Sequence, residues 1–107
     1  MKILMEKETG YGGSWVLVQY DEDFYAHGLK CDMTSFLGFP VNNVGTKKEV
    51  IGHCKSIAEL CRGNIAKYEA EKAKKNSNKQ GWEILIADEK RELEMLTDFY
   101  NLLEKLA

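Results

Sequence analysis

The chain has 107 residues, which is the usual size of one domain and makes two complete domains improbable. Hydrophobic residues at 44% and charged residues at 30% exclude an intrinsically disordered or collagen-like polymer. The formal net charge of -2 lacks the strong basic excess of dedicated nucleic-acid-binding proteins.

The first part of the chain predicts short strands separated by turns. We predict strands at 3–8, 15–20 and 24–29, and a glycine-rich loop at 10–14 joins the first two as a hairpin. Residues 15–20 are rich in the β-branched and aromatic side chains that favour a strand. A short fourth strand is possible at 36–39. The second strand is apolar at both odd and even positions, so we expect both of its faces to be covered.

Two long helices follow. Residues 40–46 are turn formers, and Thr46 with Glu49 forms a capping box that begins the first helix, which runs to about Lys75. Ser77 and Gln80 form a weaker capping box before a second helical stripe. Residues 82–87 are also compatible with a short strand, but we favour one continuous helix.

The charge distribution indicates that the two helices fold back on each other. Residues 1–46 carry a net charge of -3, residues 47–79 carry +5 and residues 80–107 carry -4. A basic helix and an acidic helix joined by about four residues favour an antiparallel hairpin with lateral ion pairs. An antiparallel register would place Lys55 and Arg62 near Asp98 and Glu92.

The predicted fold class is therefore α+β: an N-terminal antiparallel β-meander of three or four strands, followed by a long antiparallel two-helix hairpin. We predict a single domain over 1–107, with the meander and turn at 1–46 and the hairpin at 47–107. The apolar surface of the second helix is wider than one partner helix requires, so either the meander or a second copy must cover it. We predict a homo-oligomer formed through the hairpin. The side chains that widen this surface are Met95, Phe99, Leu102 and Leu106.

The sequence predicts a cytoplasmic protein. The apolar start of the chain is too short for a signal peptide, and no stretch approaches the ~20 apolar residues that cross a bilayer. Three cysteines are an odd number, unlike the even sets that staple small secreted domains.

No catalytic or cofactor motif is present. The glycine loop leads into a strand, whereas nucleotide-binding fingerprints lead into a helix. The histidines and cysteines of the chain form no C-x-x-C or H-x-x-x-H pair, so we predict no metal and no cofactor. We also do not expect nucleic-acid binding, because glutamates interleave with the lysines of residues 67–79. The histidines and cysteines considered are His27, Cys31, His53, Cys54 and Cys61.

These features favour a non-enzymatic binding protein that engages a protein partner or sequesters a small anionic, nucleotide-like ligand. The size and composition are similar in style to small accessory proteins of bacteria or phages, including inhibitors that counter host defence, although no motif carries that similarity. One alternative is a small enzyme with an inter-subunit site that uses His27 or His53, and another is a structural or assembly subunit. The candidate ligand-binding residues are Tyr11, Trp15, Tyr20, Tyr25, His27, Arg62 and Arg91.

Overall fold

A computed structural model describes residues 2–10, 12–31 and 44–106 and confirms the α+β fold. A four-stranded antiparallel sheet precedes two long helices that pack as a hairpin. The elements are β1 (Lys2–Glu8), β2 (Ser14–Asp21), β3 (Phe24–Leu29), β4 (Val44–Gly45), α1 (Lys47–Lys72) and α2 (Lys79–Lys105).

The strands follow one another in the sheet in chain order, β1-β2-β3-β4, as a meander. The hairpin loop between β1 and β2 closes through Thr9, whose backbone N–H donates to the Gly13 carbonyl at 2.9 Å. The prediction that all of 40–46 is turn was wrong at Val44 and Gly45, because these two residues pair with β3. The optional strand at 36–39 lies outside the described residues.

Both faces of β2 are covered, as predicted. Leu17 lies in the main core with the helices, whereas Val16 and Val18 form a second cluster with Ala26 of β3 on the opposite face. Alternation along the strand produces this division, because successive side chains point to opposite faces. All four side chains are fully buried. The sheet is therefore apolar on both sides at its centre.

The capping box at the start of α1 is confirmed. The Thr46 hydroxyl accepts from the Glu49 N–H at 3.2 Å, and the Glu49 carboxylate accepts from the Thr46 N–H at 3.2 Å. The second capping box was wrong: Asn78 caps α2 by accepting from Gly81 N–H at 3.1 Å. The Ser77 hydroxyl instead donates to the Lys72 carbonyl at 2.8 Å, so it closes the end of α1. Residues 82–87 are helical.

Ion pairs join the two helices, although not with the predicted partners. Lys55 pairs with Glu104 at 2.7 Å, and Lys72 pairs with Glu83 at 3.2 Å. Lys55 and Arg62, which the predicted register places near Asp98 and Glu92, form their ion pairs with other residues. Arg62 pairs within its own helix, with Glu59. Asp98 pairs with Lys7 of β1 instead, because α2 packs against the sheet as well as against α1.

The sheet supplies the second neighbour that α2 requires. Phe99 and Met95 lie in the same core as Leu17 and Tyr25 of the sheet. The width of the apolar surface on α2 therefore needs no second copy of the chain to explain it. Large apolar side chains remain exposed elsewhere on the helices, at Leu60, Ile84 and Leu85. No helix in the described ranges is long and apolar enough to span a membrane.

Candidate functional site

A groove of about 620 Å³ lies between the β1–β2 hairpin and α2. The volume lies within the range of ~300–1,000 Å³ that is usual for small-molecule sites. Two of the candidate residues, Trp15 and Arg91, line it. The remaining lining residues are Lys7, Glu8, Thr9, Gly13, Leu29, Cys31, Asp88, Glu92, Glu94 and Met95.

Trp15 forms an aromatic wall of the groove, and a buried histidine holds it in place. The indole Nε1–H donates to Nδ1 of His27 at 3.2 Å, and the two rings lie 6.0 Å apart. His27 is fully buried against Phe99, with a ring distance of 6.4 Å. Fixing the indole before a ligand arrives lowers the entropy that binding would cost.

Burial lowers the pKa of His27 to about 4, with a smaller contribution from the charge of His53. The imidazole is therefore neutral near pH 7. Because its Nδ1 accepts from Trp15, the proton of the neutral ring lies on Nε2. Both Nε2 of His27 and Nδ1 of His53 are buried with no hydrogen-bond partner among the described residues. His27 therefore supports Trp15 and does not offer a free lone pair to a metal ion.

Arg91 joins the hairpin loop to α2 at one end of the groove. Its guanidinium donates to the Thr9 carbonyl at 3.2 Å and to the Asp88 carboxylate at 3.3 Å. The backbone of Gly10 has a φ of +87°, and a Cβ there would lie 2.5 Å from Nη1 of Arg91. Glycine is thus favoured at this position both by the backbone conformation and by the close approach of Arg91.

The groove carries more acidic than basic groups. Among the residues that the structure describes, four carboxylates line it against two bases. Lys7 lies 3.0 Å from Asp98, and this contact together with the nearby charge of Glu94 raises the pKa of Lys7. Since Arg91 is paired with Asp88, both bases already have acidic partners.

Glu92 also belongs to a cluster at the interface of the two helices. The Cys61 thiol and the carboxylates of Glu89 and Glu92 lie within 4.8 Å of one another, and Glu89 accepts from Asn64 at 3.5 Å. The pKa of Glu92 is raised mainly by burial and to a smaller extent by the charge of Glu89. The pKa of Cys61 is raised to about 12, mainly by burial and to a smaller extent by the charge of Glu92. A metal ion would have to displace the thiol proton, and the absence of a metal stays a prediction.

The structure does not bring the other candidate residues into the groove. Tyr25 is buried in the main core, where its hydroxyl accepts from Gln19 at 3.4 Å. Tyr20 packs against the cluster on the opposite face of the sheet, where burial raises its pKa. Arg62 lies exposed on α1, paired with Glu59. His27 acts only from behind Trp15, and Tyr11 lies outside the described residues.

Sequence reasoning missed most of the α2 wall. Asp88, Glu92 and Met95 repeat at intervals of four and three residues, and Arg91 lies one position before Glu92. This spacing places them along one helix face, so the pattern was available. Met95 was assigned to the apolar surface of the second helix and Arg91 was a candidate for ligand binding, but nothing in the pattern identifies the hairpin loop as the opposite wall.

Comparisons of the chain with protein-family models, with curated protein sequences and with solved structures found no match.

Proposed function

We propose that this chain is a non-enzymatic binding protein whose ligand lies in the groove against the Trp15 indole. The observation that carries the proposal is the aromatic wall itself: Trp15 faces a groove of about 620 Å³ and is fixed from behind by His27. A flat apolar group gains burial and stacking against such a ring without having to order it.

The enzymatic alternative has less support from the geometry. It requires His27 or His53 to exchange protons with a substrate. His27 is fully buried and uses Nδ1 to accept from Trp15, and neither histidine lines the groove. The supporting role of His27 is therefore the simpler account of its position.

The test observes the two tryptophan indoles by nuclear magnetic resonance while aromatic ligands are added. Trp82 is the internal control, because it stacks on Tyr68 at a ring distance of 5.5 Å and does not line the groove. We expect the Trp15 indole N–H signal to shift on binding while the Trp82 signal stays in place. Native mass spectrometry of the protein as purified would also detect a ligand carried through purification. Equal shifts of both indoles, or none with any aromatic compound, would contradict the proposal.

Self-association through the hairpin also remains a proposal. Its support is the exposure of large apolar side chains, at 66% for Leu60, 57% for Ile84 and 44% for Leu85. We expect light scattering coupled to size exclusion to give a mass above 12.2 kDa at tens of micromolar protein. A particle of 12.2 kDa would show that these side chains are simply tolerated on the surface of a monomer.

We retain the cytoplasm as the proposed compartment, because three cysteines are an odd number, unlike the even sets that staple small secreted domains, and the buried Cys54 and Cys61 form no disulfide with each other. Similarity to bacterial or phage accessory proteins rests on size and composition alone. A small anion is still a candidate ligand, and the basic groups Lys7 and Arg91 are the features that support it.

A further inference from the structure

The two bases in the groove leave little positive charge for an anion. Lys7 is paired with Asp98 and is also influenced by the charge of Glu94, and the guanidinium of Arg91 already donates to Asp88 and to the Thr9 carbonyl. An anion would have to compete with these partners or share the two bases with them. The groove therefore offers an anion little electrostatic attraction.

The Glu92 carboxylate of the groove, unlike the two bases, has no ion-pair partner among the described residues. Glu92 lies half-buried beside Glu89 and Cys61. The charge of Arg62 reaches Cys61, but the Arg62 guanidinium is paired with Glu59. Burial and the charge of Glu89 raise the pKa of Glu92, so its ionised form lacks stabilisation that a neighbouring cation would supply. Glu8 adds a further carboxylate at the rim.

The aromatic wall favours the same sign of charge. The face of an indole ring carries the negative part of its quadrupole, and tryptophan is the aromatic side chain that best attracts a cation. Trp15 thus adds to the attraction of the carboxylates, whereas an anion gains nothing from the ring face. Shape and charge together define a ligand with a flat apolar body and a positive group.

We propose, on the basis of the binding function above, that the groove binds a small aromatic cation, with its ring on Trp15 and its ammonium or guanidinium group beside Glu92. The carboxylate of Glu92 accepts hydrogen bonds from the cation. Glu94 and Glu8 add long-range attraction that salt would screen.

The test compares three compounds of nearly the same shape: naphthylmethylammonium, naphthylmethanol and naphthoate. Their affinities are measured from the shift of the Trp15 indole N–H signal at low ionic strength. We expect the ammonium to bind about tenfold more tightly than the alcohol, and naphthoate to bind most weakly. The advantage of the ammonium should shrink at high salt while the affinity for the alcohol stays the same.

Glu92→Gln should remove most of the advantage of the ammonium over the alcohol. Glu22→Gln, in the exposed turn between β2 and β3, is the matched control and should leave that advantage unchanged. Glu94→Gln provides a second variant, with a smaller effect, if Glu92→Gln alters the packing around Cys61. Each variant is compared by its ratio of affinities, so a general loss of stability does not produce the expected result.

The outcomes separate this inference from the proposed function. If the alcohol and the ammonium bind equally, or naphthoate binds best, the groove is a ligand site but not a cation site. If none of the three compounds shifts Trp15, both the cation preference and the proposed use of the groove are wrong.

Discussion

A single hydrogen bond links Trp15, which lines the groove, to the buried imidazole of His27, which does not. Nδ1 of His27 can accept this hydrogen bond only while the imidazole is neutral. A proton on Nδ1 would turn that nitrogen into a second donor, and the bond from Trp15 would be lost. The groove wall and the charge state of the core are thus linked at one residue.

We expect the free energy of unfolding to fall as the pH drops below about 6.5. The pKa of His27 is about 4 in the folded chain and 6.5 in its ordinary state, so the unfolded chain binds the proton more readily. This group costs no stability above pH 6.5, and the loss grows to about 3 kcal/mol as the pH falls to about 4. Urea denaturation at a series of pH values measures it.

His27→Gln is the informative variant, because glutamine keeps an acceptor for Trp15 but does not titrate. The difference in stability between wild type and this variant should change with pH between 6.5 and 4. The raised pKa of Glu92 makes the folded state more stable as the pH falls, which is opposite to the effect of His27. Both proteins contain Glu92, so its contribution cancels in the difference. His53→Gln should retain most of the pH dependence. A difference that stays constant with pH would show that His27 is not the group responsible.

Gly10 and Gly12 offer a matched pair in the hairpin loop. Both have positive φ, +87° and +90°, so alanine at either position should cost ~1–2 kcal/mol of stability. Only Gly10 lies against Arg91, whereas a Cβ at Gly12 meets open space. Gly10→Ala should therefore be the more destabilising, by ~0.5–1 kcal/mol for the displaced guanidinium.

Denaturation of both variants in the Arg91→Ala background provides the control. There the difference between the two glycine positions should disappear, because the contact that distinguishes them is gone. A difference that persists without Arg91 would place its origin in the loop backbone.

At the scale of elements, the capping box at Thr46 gives α1 a defined start. Thr46→Ala should lower the free energy of unfolding by ~1 kcal/mol, because the Glu49 N–H loses the hydroxyl that accepts its hydrogen bond, and only the bond from the N–H of residue 46 to the Glu49 carboxylate can remain. Ser56→Ala, at an exposed position within α1, is the control and should change stability by less than ~0.5 kcal/mol. Similar effects from the two substitutions would show that the cap contributes nothing beyond the loss of a hydroxyl.

Elements specified by neighbours in sequence were predictable. The Thr46 capping box and both helices depend on residues a few positions apart, and they were identified. The start of α2 was misassigned because Ser77 and Asn78 are both good caps and only packing selects between them. The two residues of β4 form a strand only by pairing with β3, which no local pattern shows.

The groove was only partly predictable for the same reason. Trp15 and Arg91 were identified as candidates for their chemistry, but nothing placed them together, because their walls come from opposite ends of the chain. Tyr25 and His27 were interpreted as binding residues because aromatic and polar groups on strands are ambiguous between a surface and a core.

At the scale of the molecule, Phe99 joins the sheet and the hairpin into one core, so we expect a single unfolding transition. It is fully buried and clusters with Leu17, Tyr25 and residues of both helices. Phe99→Ala should lower the free energy of unfolding by ~3–5 kcal/mol, and Phe99→Leu by less. Phe24→Ala, at a side chain that is 45% exposed, is the control for loss of an aromatic ring.

Two spectroscopic probes measure whether the halves unfold together. Near-ultraviolet circular dichroism follows the packing of the aromatic rings, and far-ultraviolet circular dichroism follows the helices. The two transitions should coincide in wild type and in Phe99→Leu. Separate transitions would divide the chain near Thr46 into two independent units.

The hydrogen bond from Arg91 to the Thr9 carbonyl spans 82 positions of the sequence. The meander and the helical hairpin each form from contacts that are closer in sequence, whereas closing so long a loop carries a larger entropy cost and comes late in folding. During synthesis on the ribosome, the β1–β2 hairpin therefore cannot form the groove until α2 has emerged. A ligand can find its site only after α2 has been made and has packed against the hairpin loop, so binding reports on the folding of both walls.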